Sequence, residues 1–173
     1  MLKKRRHYVN GKVRQALKKI QDERRKKFRV YVSGALTGLN SENSCMKEFY
    51  EGIAKVVDEV LGPDTAYVPH KHTDPIKNPY VTPEKVYQID SERVCESDLI
   101  IAYIGAASTG TGIELGIAKC HGIPILLLYM KGETVSRLPK GMVSKTNICE
   151  YTSEEQALNW VKQKIKEMFS QKK

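Results

Sequence analysis

The chain has 173 residues, 40% of them hydrophobic and 28% charged, with a formal net charge of +9 at pH 7. This length suits one domain with its own core. The composition excludes a disordered chain, and no stretch reaches the roughly 18 apolar residues needed to span a bilayer.

The positive charge is confined to an N-terminal arm. Residues 1–27 hold twelve Lys/Arg against Asp22 and Glu23, which leaves the rest of the chain at a net −1. Within the arm, Val9, Val13, Ala16, Leu17 and Ile20 fall at helical spacing and predict a basic amphipathic helix over about residues 10–27. Such a helix suits contact with nucleic acid or an anionic surface, a nuclear address, or simple packing on the body of the protein. The expected division is therefore a basic helical extension at 1–27 and a catalytic domain at 28–173. No apolar signal-peptide core follows the N-terminal charges, so a cytoplasmic or nuclear setting is expected. Cys45, Cys95, Cys120 and Cys149 form no CxxC pair and read as reduced thiols. His70 and His72 form an HxH pair with no cysteine nearby, so neither a metal nor another cofactor is expected.

From Phe28 onward, strand and helix patterns alternate. Phe28–Ser33 predicts a first strand, followed by the loop Gly34–Asn43. A helix over about Ser44–Leu61 presents Met46, Phe49, Ile53, Val56, Val57 and Val60 on one face, and Gly62-Pro63 stops it. Thr65–Pro69 reads as a second strand. A loop rich in His and Pro then runs to Val81, long enough to suspect function. Thr82-Pro83 supplies a cap and a first-turn proline for a helix reaching about Ser97. Leu99–Ile104 is a continuous apolar strand of the kind covered on both faces. The small-residue loop Gly105–Gly112 feeds a helix ending at Gly122. Pro124–Met130 is the fourth strand, Lys131–Thr146 a looser segment, and Asn147–Tyr151 a short fifth strand. Ser153-Glu154-Glu155-Gln156 reads as the capping box of a last helix. The expected fold is α/β: a doubly wound (flavodoxin- or Rossmann-like) five-stranded, mostly parallel sheet with helices on both faces. Ligands of such sheets collect beyond the carboxyl ends of the strands.

Two loops at those ends carry the chemistry. Ser33-Gly34-Ala35-Leu36-Thr37-Gly38 follows the first strand, and its glycines and free N–H groups suit close approach of a phosphate. Ser108-Thr109-Gly110-Thr111-Gly112-Ile113-Glu114-Leu115-Gly116 follows the third, with small and hydroxylated residues at a helix N-terminus where an anion is welcome. Glu114 in the first turn either complements the helix dipole or faces the cleft. Asp90 lies mid-helix beside Ile89, on a solvated face or at the site. Asp98 immediately precedes the third strand and either anchors it or serves the site. His70 is an exposed loop residue or a contact to a base.

Tyr31-Val-Ser-Gly34, Tyr67-Val-Pro69, Asp90, Asp98 and Ser108…Gly110-Thr-Gly112-Ile-Glu114-Leu-Gly116, in that order, resemble the nucleoside 2-deoxyribosyltransferase family over about Phe28–Tyr129. Within it the chain is more similar to the 2'-deoxynucleoside 5'-phosphate N-hydrolases. Transferases carry an Asp six residues before the nucleophile, whereas this chain has Ser108, as the phosphate-cleaving branch does. It departs from that branch in the first loop, where the pattern Gly-Ser-x-Arg-Gly is replaced by Gly34-Ala35-Leu36-Thr37-Gly38.

The resemblance implies an N-glycosidase without cofactors, acting on a deoxynucleotide or deoxynucleoside. Glu114 is implied as the carboxylate nucleophile, Asp90 as the acid facing the leaving base, and Tyr31 as the residue holding Glu114 in line. Substrate contacts fall to Gly34, Ala35, Thr37, Gly38, His70, Asp98, Ser108, Gly110 and Gly112. The resemblance also implies a homodimer, with Ser136–Ser144 as a candidate lid. The alternatives are a base-exchanging deoxyribosyltransferase, a phosphoribohydrolase of the cytokinin-activating type, whose Pro-Gly-Gly-x-Gly-Thr pattern is absent, and a non-catalytic module that binds nucleotides or nucleic acid.

Overall fold

The computed structural model describes residues 13, 28–36, 43–74 and 77–170. Of the arm, only Val13 falls within that range, and it is helical. The helix expected over 10–27 and the loop residues Thr37 and Gly38 lie outside the described residues.

Five strands form one parallel sheet: β1 (Val30–Ser33), β2 (Ala66–Tyr67), β3 (Leu99–Tyr103), β4 (Ile125–Met130) and β5 (Ile148–Tyr151). Their order is β2-β1-β3-β4-β5, so the winding reverses between β1 and β3. Every pairing is parallel. The expected mostly parallel, doubly wound sheet is therefore parallel throughout. Among the described residues, five helices of more than one turn accompany it: α1 (Asn43–Leu61), α2 (Pro83–Cys95), α3 (Thr109–Cys120), α4 (Arg137–Met142) and α5 (Glu154–Ser170). Among the described residues, no helix is long and apolar enough to cross a membrane.

The strand period of two decides which helices each side chain meets. Val30 and Val32 point to one face and pack with Phe49, Ile53 and Val57 of α1 and Val161 and Ile165 of α5. Tyr31 points to the other, with Ile100, Ala102, Val94 of α2 and Leu115 and Ala118 of α3. These two cores, one on each side of the sheet, explain why β3 and β4 read as unbroken apolar runs: every residue of β3 is buried.

Local signals set most boundaries. Gly62 ends α1 in the left-handed region at φ 102°, a conformation glycine adopts without a Cβ penalty. The Thr82 hydroxyl accepts from Lys85 N–H and caps α2, with Pro83 at its first turn. At α5, Ser153 Oγ accepts from Gln156 N–H as expected, but the Gln156 side chain reaches back to Thr152 N–H at 2.8 Å rather than to Ser153. β2 is shorter than its five-residue pattern. Pro69 has no N–H for the ladder and starts a 3-10 turn over Pro69–Lys71. The segment expected to be loose holds α4, capped by the Ser136 side chain.

Candidate active site

The carboxyl ends of β1 and β3, where the winding reverses, flank a pocket of about 390 Å³. Its floor includes Asp90, Glu114 and Gly110, and its walls are mainly apolar, with Pro79, Val81 and Val86 on one side and Ile113 and Ile117 on the other. The loop after β2 and the helices α2 and α3 supply nearly all of it.

Glu114 sits at the mouth of β1. Tyr31 Oη donates to its Oε1 at 2.7 Å, and Ser33 Oγ donates to its Oε2. The two donors are neighbours at period two on one strand, so both point to the α3 side of the sheet. The carboxylate is therefore clamped at both oxygens. Burial raises the Glu114 pKa from the ordinary glutamate value, while the Ser33 and Tyr31 hydroxyls oppose that rise by favouring the ionised form. Burial and the neighbouring Glu114 charge also push the Tyr31 phenol far up, so it remains a donor at any working pH.

Asp90 projects from α2 toward the same floor. Its Oδ2 accepts from Thr73 Oγ1 at 3.4 Å, while its Oδ1 is buried without a hydrogen-bond partner. Burial, followed by the Glu114 charge, pushes its pKa up to about 6, and only the Thr73 hydroxyl works against the rise. Two carboxyls in one cleft thus have different surroundings, Glu114 clamped by two donors and Asp90 almost undonated. Surroundings that differ in this way suit the two carboxyls to different protonation states.

The small-residue loops are built for close approach. A Cβ on Gly34 would lie 2.3 Å from Tyr50 Cζ, so only glycine lets the loop after β1 lie against α1. Ala35 is buried, and its carbonyl accepts from Tyr50 Oη at 3.3 Å; its place is in the loop's anchorage rather than on the pocket wall. Ser108 caps α3: its Oγ accepts from Thr111 N–H at 3.2 Å. A Cβ on Gly112 would meet nothing within 4 Å, so packing does not demand glycine there.

Asp98 and His70, like Ala35, are not brought to the pocket. Asp98 sits at the amino end of β3, opposite the cleft, where its Oδ2 accepts from Arg29 N–H at 2.9 Å and its own N–H donates to Arg29 O at 2.8 Å. It ties β1 to β3. His70 is fully buried in the 3-10 turn after β2, which rotates it toward α1, on the far face of the sheet; its Nε2 pairs with Glu51 at 2.9 Å. His72, two residues on, turns to the site's side and stacks on Tyr67 at 4.8 Å. Ser33 and Thr73 were missed as partners of the two carboxylates. Ser33 was findable, because it shares a strand face with Tyr31. Thr73 was not, because nothing in a loop sequence fixes which way it faces. Among the described residues, no group of three His, Cys, Asp or Glu side chains is arranged to hold a metal ion.

No protein-family model matches the chain. A protein of Methanosarcina barkeri named "Putative 2'-deoxynucleoside 5'-phosphate N-hydrolase 1" is 26% identical over 124 residues, covering 72% of this chain and 76% of that protein. Its namesake in Methanosarcina mazei is 27% identical over 112 residues, covering 65% and 67%. Among solved structures, a CMP N-glycosidase of Clostridium botulinum is 25% identical with a TM-score of 0.56, over 76% of this chain and 94% of that one. A 2-deoxyribosyltransferase of Bacillus psychrosaccharolyticus shares the fold at 20% identity and a TM-score of 0.56, over 76% and 90%.

Proposed function

We propose that the chain is an N-glycosyl hydrolase of the nucleoside 2-deoxyribosyltransferase family and that it hydrolyses the base–sugar bond of 2'-deoxynucleoside 5'-monophosphates, a reading supported by the likeness to the curated relatives and to the CMP N-glycosidase. The observation that carries this reading is the Glu114 carboxylate, clamped by two donors, beside Asp90, which accepts only from Thr73, in one pocket.

In the proposed mechanism the base lies between the apolar walls and the sugar's C1' stands over Glu114. Glu114 attacks C1' as the bond to the base breaks, forming a covalent deoxyribosyl ester through an oxocarbenium-like transition state. Asp90 gives its proton to the departing base. A water molecule then attacks C1', losing its proton to Asp90 and releasing the sugar phosphate and the Glu114 carboxylate. Tyr31 and Ser33 hold Glu114 in line and favour its ionised form throughout.

Two features support a 5'-phosphate on the substrate. The position six residues before Glu114 is the neutral Ser108, which does not repel an anion, and the first-turn N–H groups of α3 lack intrahelical acceptors, as at any helix start. Gly110 and Gly112 leave the backbone open to approach. Incubating the protein with each deoxynucleoside monophosphate, its free nucleoside and a second free base separates the outcomes. Free base and sugar phosphate are expected, whereas a new nucleoside would assign the transferase activity instead.

Catalysis belongs to residues 28–173 in this reading, so deleting 1–27 leaves base release unchanged. A second copy of the chain covers the pocket mouth, where Tyr80 and Tyr87 are 94% and 64% exposed. Light scattering of the purified protein at dimer mass is the expected result.

A further inference from the structure

Tyr67 of β2 has no part in the mechanism above, yet it is packed against its machinery. Its register partner on β1 is Tyr31, and the two rings stack at 5.5 Å with 29° between their planes. The His72 imidazole lies nearly parallel to the Tyr67 ring, at 4.8 Å and 7°. The Arg93 guanidinium carbon stands 5.2 Å from its centroid. The ring is thus fixed on more than one side. Its hydroxyl is not: Tyr67 Oη is buried and has no hydrogen-bond partner.

Asp90 Oδ1 shares that condition. A buried donor and a buried acceptor left open are each costly, and native proteins seldom keep them without a reason. Here they are complementary, and the Tyr67 phenol feels the Asp90 charge. After burial, the Asp90 charge is the main cause that pushes the Tyr67 phenol up to about 12, which keeps it a donor at neutral pH.

Other groups facing Asp90 are already engaged. Glu114 on α3 is an acceptor like itself. Tyr31 on β1 donates to Glu114, and Thr73 in the loop after β2 donates to Oδ2. Arg93 on α2 lies over the Tyr67 ring with its Nη1 3.5 Å from Glu96. His72 has its pKa lowered by burial and by Arg93, so it brings little charge.

We propose that Tyr67 is the positioning residue of Asp90, its hydroxyl donating to Oδ1, directly or through one buried water, whenever Asp90 is ionised. This rests on the reading of Asp90 as the site's acid. When Asp90 has given its proton to the base, the Tyr67 hydroxyl steadies the resulting carboxylate. When the attacking water returns a proton to Asp90, the donor is released. No bond or charge changes on Tyr67 itself.

The test is a carbonyl ¹³C NMR titration of the full-length protein, with the Asp90 resonance assigned by Asp90→Asn. In Tyr67→Phe, which keeps the ring stack, the Asp90 midpoint is expected to rise by about one pH unit, with a melting temperature at low pH, where Asp90 is protonated, equal to or above that of the wild type. An unchanged or lower midpoint would overturn the proposal. So would a variant that no longer folds at low pH, because a hydroxyl released by the protonated Asp90 cannot be what holds the fold there. The titration needs no turnover. A wild type that releases no base would therefore refute the proposed function, while the titration still decides the role of Tyr67.

Discussion

Tyr31 and Glu114 stand 83 residues apart in sequence and meet through a 2.7 Å hydrogen bond across the point where the sheet reverses its winding. Because Tyr31 and Ser33 alternate on one strand with Val30 and Val32, a single stretch of β1 builds the core on one face and the carboxylate clamp on the other. The geometry of Glu114 is thereby tied to the most buried part of the fold.

Removing one donor of the clamp should slow the chemistry without unfolding the protein. A hydrogen bond to a charged group contributes about 1.5–3 kcal/mol. Tyr31→Phe is therefore expected to lower kcat roughly 10- to 100-fold at constant KM. It should also move the acid limb of the pH–rate profile upward, since Glu114 loses a group that favours its ionised form. Steady-state kinetics across pH check both effects.

Asp90 gives a signed pH dependence. Its folded pKa is raised from 3.8 to about 6, so the folded state binds more protons than the unfolded state between those values. Stability therefore falls as pH rises through that window. Asp90→Asn removes the cost and should stabilise the protein at pH 7 by on the order of 1 kcal/mol, since solvent screens the partly exposed carboxyl, while abolishing the loss of base release above about pH 6. Denaturant melts at pH 4 and pH 7 read the first effect, and rate profiles read the second.

Asp98 and His70 supply the contrast. Asp98 ties Arg29 to β3 at the sheet's other end, and its bond is exposed. Asp98→Ala should cost about 1 kcal/mol or less and leave kcat and KM unchanged. A large loss of kcat in this variant would place it at the site against its observed position.

The sequence carried the architecture because its signals were local. Gly62 and Thr82-Pro83 punctuated α1 and α2, and the apolar run at 99–104 could only be a strand buried on both faces. The Glu114 loop was legible for the same reason, as a run of small residues before a helix. His70 and Asp98 were misplaced because strand and turn geometry, not residue type, decides which end and which face they occupy. The Ser33 hydroxyl and the Thr73 contact to Asp90 depend on long-range packing. No spacing in the chain encodes that packing.

The apolar walls are expected to hold the leaving base. Ile113 is half exposed at the rim of the pocket, so a larger side chain there costs little packing. Ile113→Trp should raise KM several-fold, fold normally, and change the order of preference among bases. Comparing kcat/KM for the four deoxynucleoside monophosphates checks this.

The central claim is that Glu114 is the nucleophile of N-glycosidic cleavage, and its most direct test compares wild type with Glu114→Gln. The amide keeps an oxygen to accept from the hydroxyls of β1 but has no charge to attack C1'. Chromatography of each deoxynucleoside monophosphate after incubation should show free base from wild type. The variant should lose at least about 10³-fold of that rate and melt no lower, since a buried carboxylate with a raised pKa has been removed. Equal base release from both proteins, or none from wild type with any substrate, would contradict the account.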